Sequence, residues 1–271
     1  MNESIVRTLS GVVYIALLLA ATLYSPFTFM LLFGIFMLIA ITEFCRLAKI
    51  SLISPLLSGG ILFVLYAVNL NNDILTHTST IIAVATGIFL IAGLFAKKPL
   101  ISGSSFIKRL LVPGYIVFPF LLIIKLPMLG GGYISYIPNI IIGAFIIIWT
   151  NDTFAYIVGR LVGKHKLFER ISPKKTIEGF IGGLIFAIIC SYILSIYYDF
   201  LSPVLWIISG IILVVFGTLG DLIESQLKRN AGVKDSGTIM PGHGGILDRL
   251  DSIIFAIPFL FLFHQIINYV S

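Results

Sequence analysis

Nine stretches of mostly apolar sequence follow one another with short polar breaks, and they constrain this chain more than any other feature. A helix needs about 20 predominantly apolar residues to cross a bilayer, fewer in a tightly packed bundle. By that measure the stretches fall at 9–24, 27–44, 52–70, 78–96, 110–125, 137–161, 177–199, 203–221 and 249–269. Composition agrees. Of 271 residues, 58% are hydrophobic and 11% charged, where a soluble domain carries about a quarter charged residues. Mean hydropathy is +1.08. The expected fold is all-α, a polytopic integral membrane protein of about nine transmembrane helices with its N-terminus cytoplasmic.

The cations set that orientation. Arg7; Arg46 and Lys49; Lys97, Lys98, Lys108 and Arg109; Arg160 to Lys175; and Lys228 to Arg249 all fall in alternate connections, on one side. Lys125 alone falls on the other. The positive-inside rule places the rich side in the cytoplasm. The protein then belongs in the inner or plasma membrane, with its polar segments facing the cytosol and anionic lipid head groups. This distribution accounts for the net charge of +6 without nucleic acid. Residues 9–24 could pass for a signal-peptide core, but further spans follow and no convincing cleavage site appears. Pro55, Pro113, Pro119 and Pro258 lie near or inside spans, where they are expected to kink helices. Cys45 and Cys190 sit in apolar context, form no metal or redox motif, and read as packing residues.

Polar chemistry is concentrated in Ser225–Asp251, SQLKRNAGVKDSGTIMPGHGGILDRLD. It holds Ser225, Lys228, Arg229, Lys234, Asp235, the turn from Pro241 to Gly245 around His243, and then Asp248, Arg249 and Asp251. Asp221 and Glu224 stand just upstream. Lys and Arg hold phosphate oxygens, and amides of Gly242, Gly244 and Gly245 can form an anion-binding nest. Carboxylates bind Mg2+ while leaving positions open for substrate phosphates. If the helix through 221 continues, Asp221, Ser225 and Lys228 share a face, as do Asp248 and Asp251 at the start of the last span. The latter pair lies at a helix N-terminus, which favours the ionised, metal-binding form.

Asp152 is the second informative place, because apolar sequence flanks it. An ionised Asp near a span's centre costs about 2.5–3.5 kcal/mol on insertion scales, so it faces a polar cavity or a partner. The basic loop after it carries Ser172-Pro173, a helix-start signal, with Lys174 and Lys175 where phosphate could meet a helix N-terminus. Gly159 to Lys164 is not a P-loop, for the glycine spacing is one residue short and His165 replaces the required Ser or Thr. The sequon at Asn151 has no meaning inside a span. His264 reads as a packed histidine, His243 as a phosphate contact or proton carrier, and Glu43 as the local ion-pair partner of Arg46. Gly130–Gly132 reads as an outer loop.

These residues carry a resemblance. The Ser225, Lys228-Arg229, Lys234-Asp235, His243-Gly244-Gly245 and Asp248-Arg249-x-Asp251 elements resemble, at matching spacing, the signature of phosphatidate cytidylyltransferases, the CDP-diacylglycerol synthases. The segments SPKKTIEGFIGG and NDTFAYIVGR are similar to family sequence as well. The resemblance implies an Mg2+-dependent, homodimeric membrane enzyme that makes CDP-diacylglycerol and pyrophosphate from CTP and phosphatidic acid. Residues 1–136 would then supply about five N-terminal helices, and 137–271 the catalytic region with about four. Asp221 and Asp248 match the family's metal-binding carboxylates, with Asp152 and Asp251 as candidates for an outer shell or a second, monovalent cation such as K+. Lys228, Arg229, Lys234 and Arg249 are expected to hold phosphates, and Ser172, Lys174 and Lys175 the lipid head group. Two other classes fit the residues less well. A CTP-dependent lipid-alcohol kinase needs a base for its hydroxyl substrate. A transporter of anionic solutes usually carries repeat symmetry and midplane charges, and this sequence has no repeat.

Overall fold

The computed structural model describes residues 3–96, 104–129 and 135–270. The expected features at Lys97, Lys98 and Gly130–Gly132 lie outside the described residues. The first half contains α1 (Glu3–Tyr24), α2 (Pro26–Ala48), α3 (Ile53–Val68) and α4 (Asp73–Phe95). Next, α5 (Ser105–Val112) runs through a π turn at Pro113–Val117 into α6 (Phe118–Lys125) and a closing 3-10 turn, Leu126–Met128. After α7 (Pro138–Val162) come two short strands, β1 (Lys166–Phe168) and β2 (Ser172–Thr176). The chain finishes with α8 (Ile177–Tyr197), α9 (Pro203–Ala231) and α10 (Leu247–Val270).

Among the described residues, eight helical segments are long and apolar enough to cross a membrane, counting Ser105–Met128 as one. The ninth expected span, 52–70, is shorter than the rest. Its helix α3 has 16 residues, or about 24 Å at 1.5 Å per residue, against a hydrocarbon core of about 30 Å. Asn69 ends it, turning its side-chain amide onto Leu65 O at 2.8 Å. Elsewhere the sequence punctuates its helices locally. Ser25 and Ser202 cap α2 and α9, each followed by a proline at the first helical position. The expected disruption at Pro113 takes the form of the π turn, whereas α10 runs on through Pro258.

The rod Ser105–Met128 is the most deeply buried of the spans and forms the post of the bundle. Around it, α7 packs along α8, and α9 along α10. Gly159 and Gly179 allow the α7–α8 approach, because a Cβ on either would strike Thr176. Apolar side chains such as Val12 and Val13 of α1 and Ile185 and Ile196 of α8 point outward. In a bilayer these faces meet lipid.

One departure from an all-helical reading matters for the site. Ser172-Pro173 does not start a helix. Ser172–Thr176 is β2, paired antiparallel with β1 in the register Lys166↔Thr176 and Phe168↔Ser172. The helix starts later, where Thr176 caps α8 by accepting from Gly179 N at 3.1 Å. The hairpin is held at both ends. Arg170 donates to Leu94 O on α4 (3.2 Å), and Glu178 accepts from His165 N at 3.2 Å.

Candidate active site

Helix α9 does continue beyond 221, to Ala231, and stops where Gly232 takes a left-handed φ of 74°. This extension carries Asp221, Ser225 and Lys228 into a polar corner opposite the first turn of α10. Ser225 Oγ donates to Asp221 at 3.2 Å, and Lys175, arriving from β2, pairs with the same carboxylate. Lys228 turns instead toward Glu224 and toward Asp248 Oδ1, the latter at 2.6 Å.

Asp248 is saturated with donors. Besides Lys228 on one oxygen, its Oδ2 accepts from Ser236 N (2.8 Å), Ser236 Oγ (2.8 Å) and Gly245 N (2.7 Å). The Gly245 amide, expected in an anion nest, is therefore committed to a carboxylate of the chain itself. The turn before it is tight. Met240 N donates to Gly244 O at 3.0 Å, and Gly242 and Gly244 have φ of 74° and 85°, values open to glycine. His243, on this turn, lies 2.7 Å from Ser10 Oγ of α1. Desolvation, reinforced by the charge of Arg249, holds the imidazole below its usual range.

Two cavities adjoin at this corner and share Asp152 and Ser252 as a common wall. The first, about 210 Å³, is lined by Tyr14, Trp149, His243, Asp248, Arg249 and Asp251 among others. The second, about 330 Å³, is lined by Lys174, Lys175, Arg160, Asp221 and Tyr156 among others. Tyr156 is 66% exposed on the outer face of α7, so the larger cavity reaches the surface that would meet lipid. Asp152 thus faces polar space, as the cost of its charge requires.

The structure gathers most of the expected residues, though not all. Asp152, Lys174, Lys175, Asp221, His243, Asp248, Arg249 and Asp251 line one cavity or the other, with Ser225, Lys228 and Gly245 bonded to them. Arg229, Lys234 and Asp235 are exposed, and Arg229 closes the end of α9 by donating to Val233 O at 3.3 Å. Ser172 lies in the hairpin rather than along either cavity. The expected Glu43–Arg46 pair does not form. Glu43 is 3% exposed and accepts from Ile246 N, Leu247 N and Ser236 Oγ, while Arg46 points outward. A carboxylate buried in an apolar helix was itself the signal, the same one that marked Asp152. Glu224, paired with Lys228 one turn on, is a further buried acid.

Among the described residues, no three His, Cys, Asp or Glu side chains converge into a complete metal cage. Mg2+ does not require one, since it is commonly held by one or two carboxylates together with substrate phosphates. The donors present suit it. Asp152 and Asp221 line the larger cavity and Asp152 and Asp251 the smaller, so Asp152 stands between the other two carboxylates. Asp248 reaches a metal only by exchanging Lys228 on its Oδ1.

A membrane-embedded site built from lysines, an arginine and carboxylates around two joined cavities defines a polytopic protein that handles phosphorylated ligands. The chain belongs to the cytidylyltransferase family, whose model matches residues 5–267. It is similar to the phosphatidate cytidylyltransferase of Staphylococcus haemolyticus, 39% identical over 258 residues that cover 94% of this chain and 96% of that protein. The phosphatidate cytidylyltransferase of Staphylococcus saprophyticus is 57% identical over 122 residues, 44% of this chain and 46% of the relative.

Proposed function

We infer that this protein transfers the cytidylyl group of CTP to phosphatidic acid, giving CDP-diacylglycerol and pyrophosphate for phospholipid synthesis. The observation that carries this reading is the pair of adjoining cavities, one reaching the lipid-facing surface, within a chain of this family. The larger cavity takes the phosphatidate head group against Lys174 and Lys175. The smaller takes the nucleotide phosphates against Arg249.

A phosphate oxygen of phosphatidate attacks the α-phosphorus of CTP in line. The bond from that phosphorus to the β-phosphate oxygen breaks, and pyrophosphate leaves with the electron pair. The nucleophile is already ionised, so neither an enzyme nucleophile nor a strong base is required. The obstacle is bringing two anions together, and the positive charges of Lys175, Lys228 and Arg249 lower that repulsion. Asp152, between the cavities, limits how the two phosphates approach. Mg2+ would be held by Asp221 and Asp248, with Asp152 and Asp251 nearest for a second cation, and supplies charge neutralisation of the phosphates when bound. Arg229, at the exposed end of α9, and Lys234, on the loop after it, remain outer phosphate contacts. The enzyme works in the cell membrane with this corner facing cytosolic CTP, as the homodimer that the resemblance implies.

An isotope experiment tests the reaction. With Mg2+, phosphatidate and CTP, label in the α-phosphate should enter the lipid and γ-label should leave in pyrophosphate. Transfer of γ-label to a lipid alcohol, with none of the α-label, would overturn the reading in favour of a kinase.

A further inference from the structure

We propose that Glu43 of α2 is a positioning residue for the reaction above, and that through it the N-terminal helices set the geometry of the phosphate-handling corner. The proposal rests on that functional reading only for its kinetic test. Its structural ground is independent. The first amides of a helix lack intrahelical acceptors and usually find them in a nearby side chain of the same segment. At α10 the chain offers Gly245 and Ile246 there, which carry no polar side chain. Glu43 supplies the acceptors from 203 residues away, taking Ile246 N on Oε1 at 3.1 Å and Leu247 N on Oε2 at 2.8 Å.

The contact is built to exclude alternatives. A Cβ on Gly245 would run into the Glu43 carboxylate and the Ser236 hydroxyl, and one on Gly237 would meet the same carboxylate. No Lys or Arg pairs with Glu43 among the described residues; its partners are backbone amides and one hydroxyl. Ser236 Oγ stands 3.1 Å from Glu43 Oε2 and 2.8 Å from Asp248 Oδ2, so its single proton is shared between the two acids. The sequence of contacts therefore runs from Glu43 through the first turn of α10 to Asp248, and from Asp248 to Lys228. Arg249 and Asp251 lie on the same turn. A shift of that turn moves all three cavity-lining side chains together.

The test compares Glu43→Ala, Glu43→Gln and Ser236→Ala with the wild-type protein in detergent. For a displacement of the order of 1 Å, kcat for CDP-diacylglycerol should fall about a hundredfold in Glu43→Ala. Glu43→Gln keeps the shape and one carbonyl oxygen, so it should lose roughly tenfold, with KM for CTP changed less than about threefold in each case. Ser236→Ala, which leaves the amide contacts in place, should lose less than Glu43→Gln. Amide hydrogen exchange supplies the second readout. Peptides covering 236–250 should exchange faster in the Glu43 variants while those from α7 and α8 stay as in wild type. Glu43→Gln decides the matter if Glu43→Ala does not fold. Unchanged kcat and exchange in Glu43→Gln would overturn the proposal, as would acceleration spread evenly over the bundle, which marks general loosening. If wild-type protein makes no CDP-diacylglycerol, the functional reading fails, and the exchange pattern still tests the Glu43 contact.

Discussion

Among the described residues, two lysine–carboxylate pairs at the site join different elements, and they are built differently. Lys228 and Asp248 join α9 to α10, with side chains 13% and 5% exposed and three further donors on the same carboxylate. Lys175 and Asp221 join the hairpin to α9, with side chains 29% and 33% exposed and one serine in support. The first corner is the more firmly held, its Asp248 Oδ2 staying bonded even where Oδ1 exchanges Lys228 for a metal. The second can open, because breaking its ion pair costs little once water or a phosphate replaces it. A site that must hold one phosphate chain still while a lipid head group arrives and leaves gains from that asymmetry.

The largest effect that sharpens the comparison comes from neutralising each acid. Asp221→Asn and Asp248→Asn should both abolish turnover at limiting Mg2+, but only Asp248→Asn should also melt early. Breaking a buried pair by removing one partner costs about 3–5 kcal/mol, whereas the half-exposed Lys175–Asp221 pair lies closer to the roughly 1 kcal/mol or less of surface pairs. Thermal unfolding in detergent separates them, and equal losses of stability would erase the distinction between the corners. The lysines should sort in the same way and more mildly. Lys175→Ala should raise KM for phosphatidate roughly tenfold, about 1.4 kcal/mol of binding, and leave the melting temperature near wild type. Lys228→Met should lower the melting temperature.

How much of this was legible in the sequence depends on what kind of contact each residue makes. The helices were legible because hydrocarbon length and caps such as Ser202-Pro203 are local. Asp152 was legible because a lone acid in an apolar helix demands polar space. Ser172-Pro173 misled, since a Ser-Pro pair starts a strand edge as readily as a helix, and the hairpin is decided by anchors on α4 and α8. Glu43 misled because Arg46 is its neighbour on the helix, while its partners are backbone amides that no side-chain pattern reveals. The Gly245 amide was assigned to a ligand for the same reason. Its acceptor, Asp248, is visible only once the loop is folded.

The smallest effect concerns the turn that joins the two corners. His243 has a folded-state pKa below its ordinary value, so the unfolded chain binds its proton first as pH falls. Stability should decline from about pH 6.5 downward and level off below the folded-state value. In His243→Gln that part of the decline should vanish, measured as the difference in melting temperature between pH 7 and pH 5. A wild-type protein that gains stability on acidification through this window would place His243 in a different environment.

The Glu43 contact has a consequence for how the protein is made. A ribosome delivers α2 to the membrane long before it delivers α10, with 203 residues between Glu43 and Ile246. Throughout that interval the acid lacks the amides that satisfy it, and the N-terminal helices wait in the bilayer with an unmatched acid on α2. Insertion of the last helix is then the step that locks the earlier ones. Nascent chains halted before α10 should be the natural prey of membrane proteases, and a late-arriving α10 supplied as a separate fragment should rescue them.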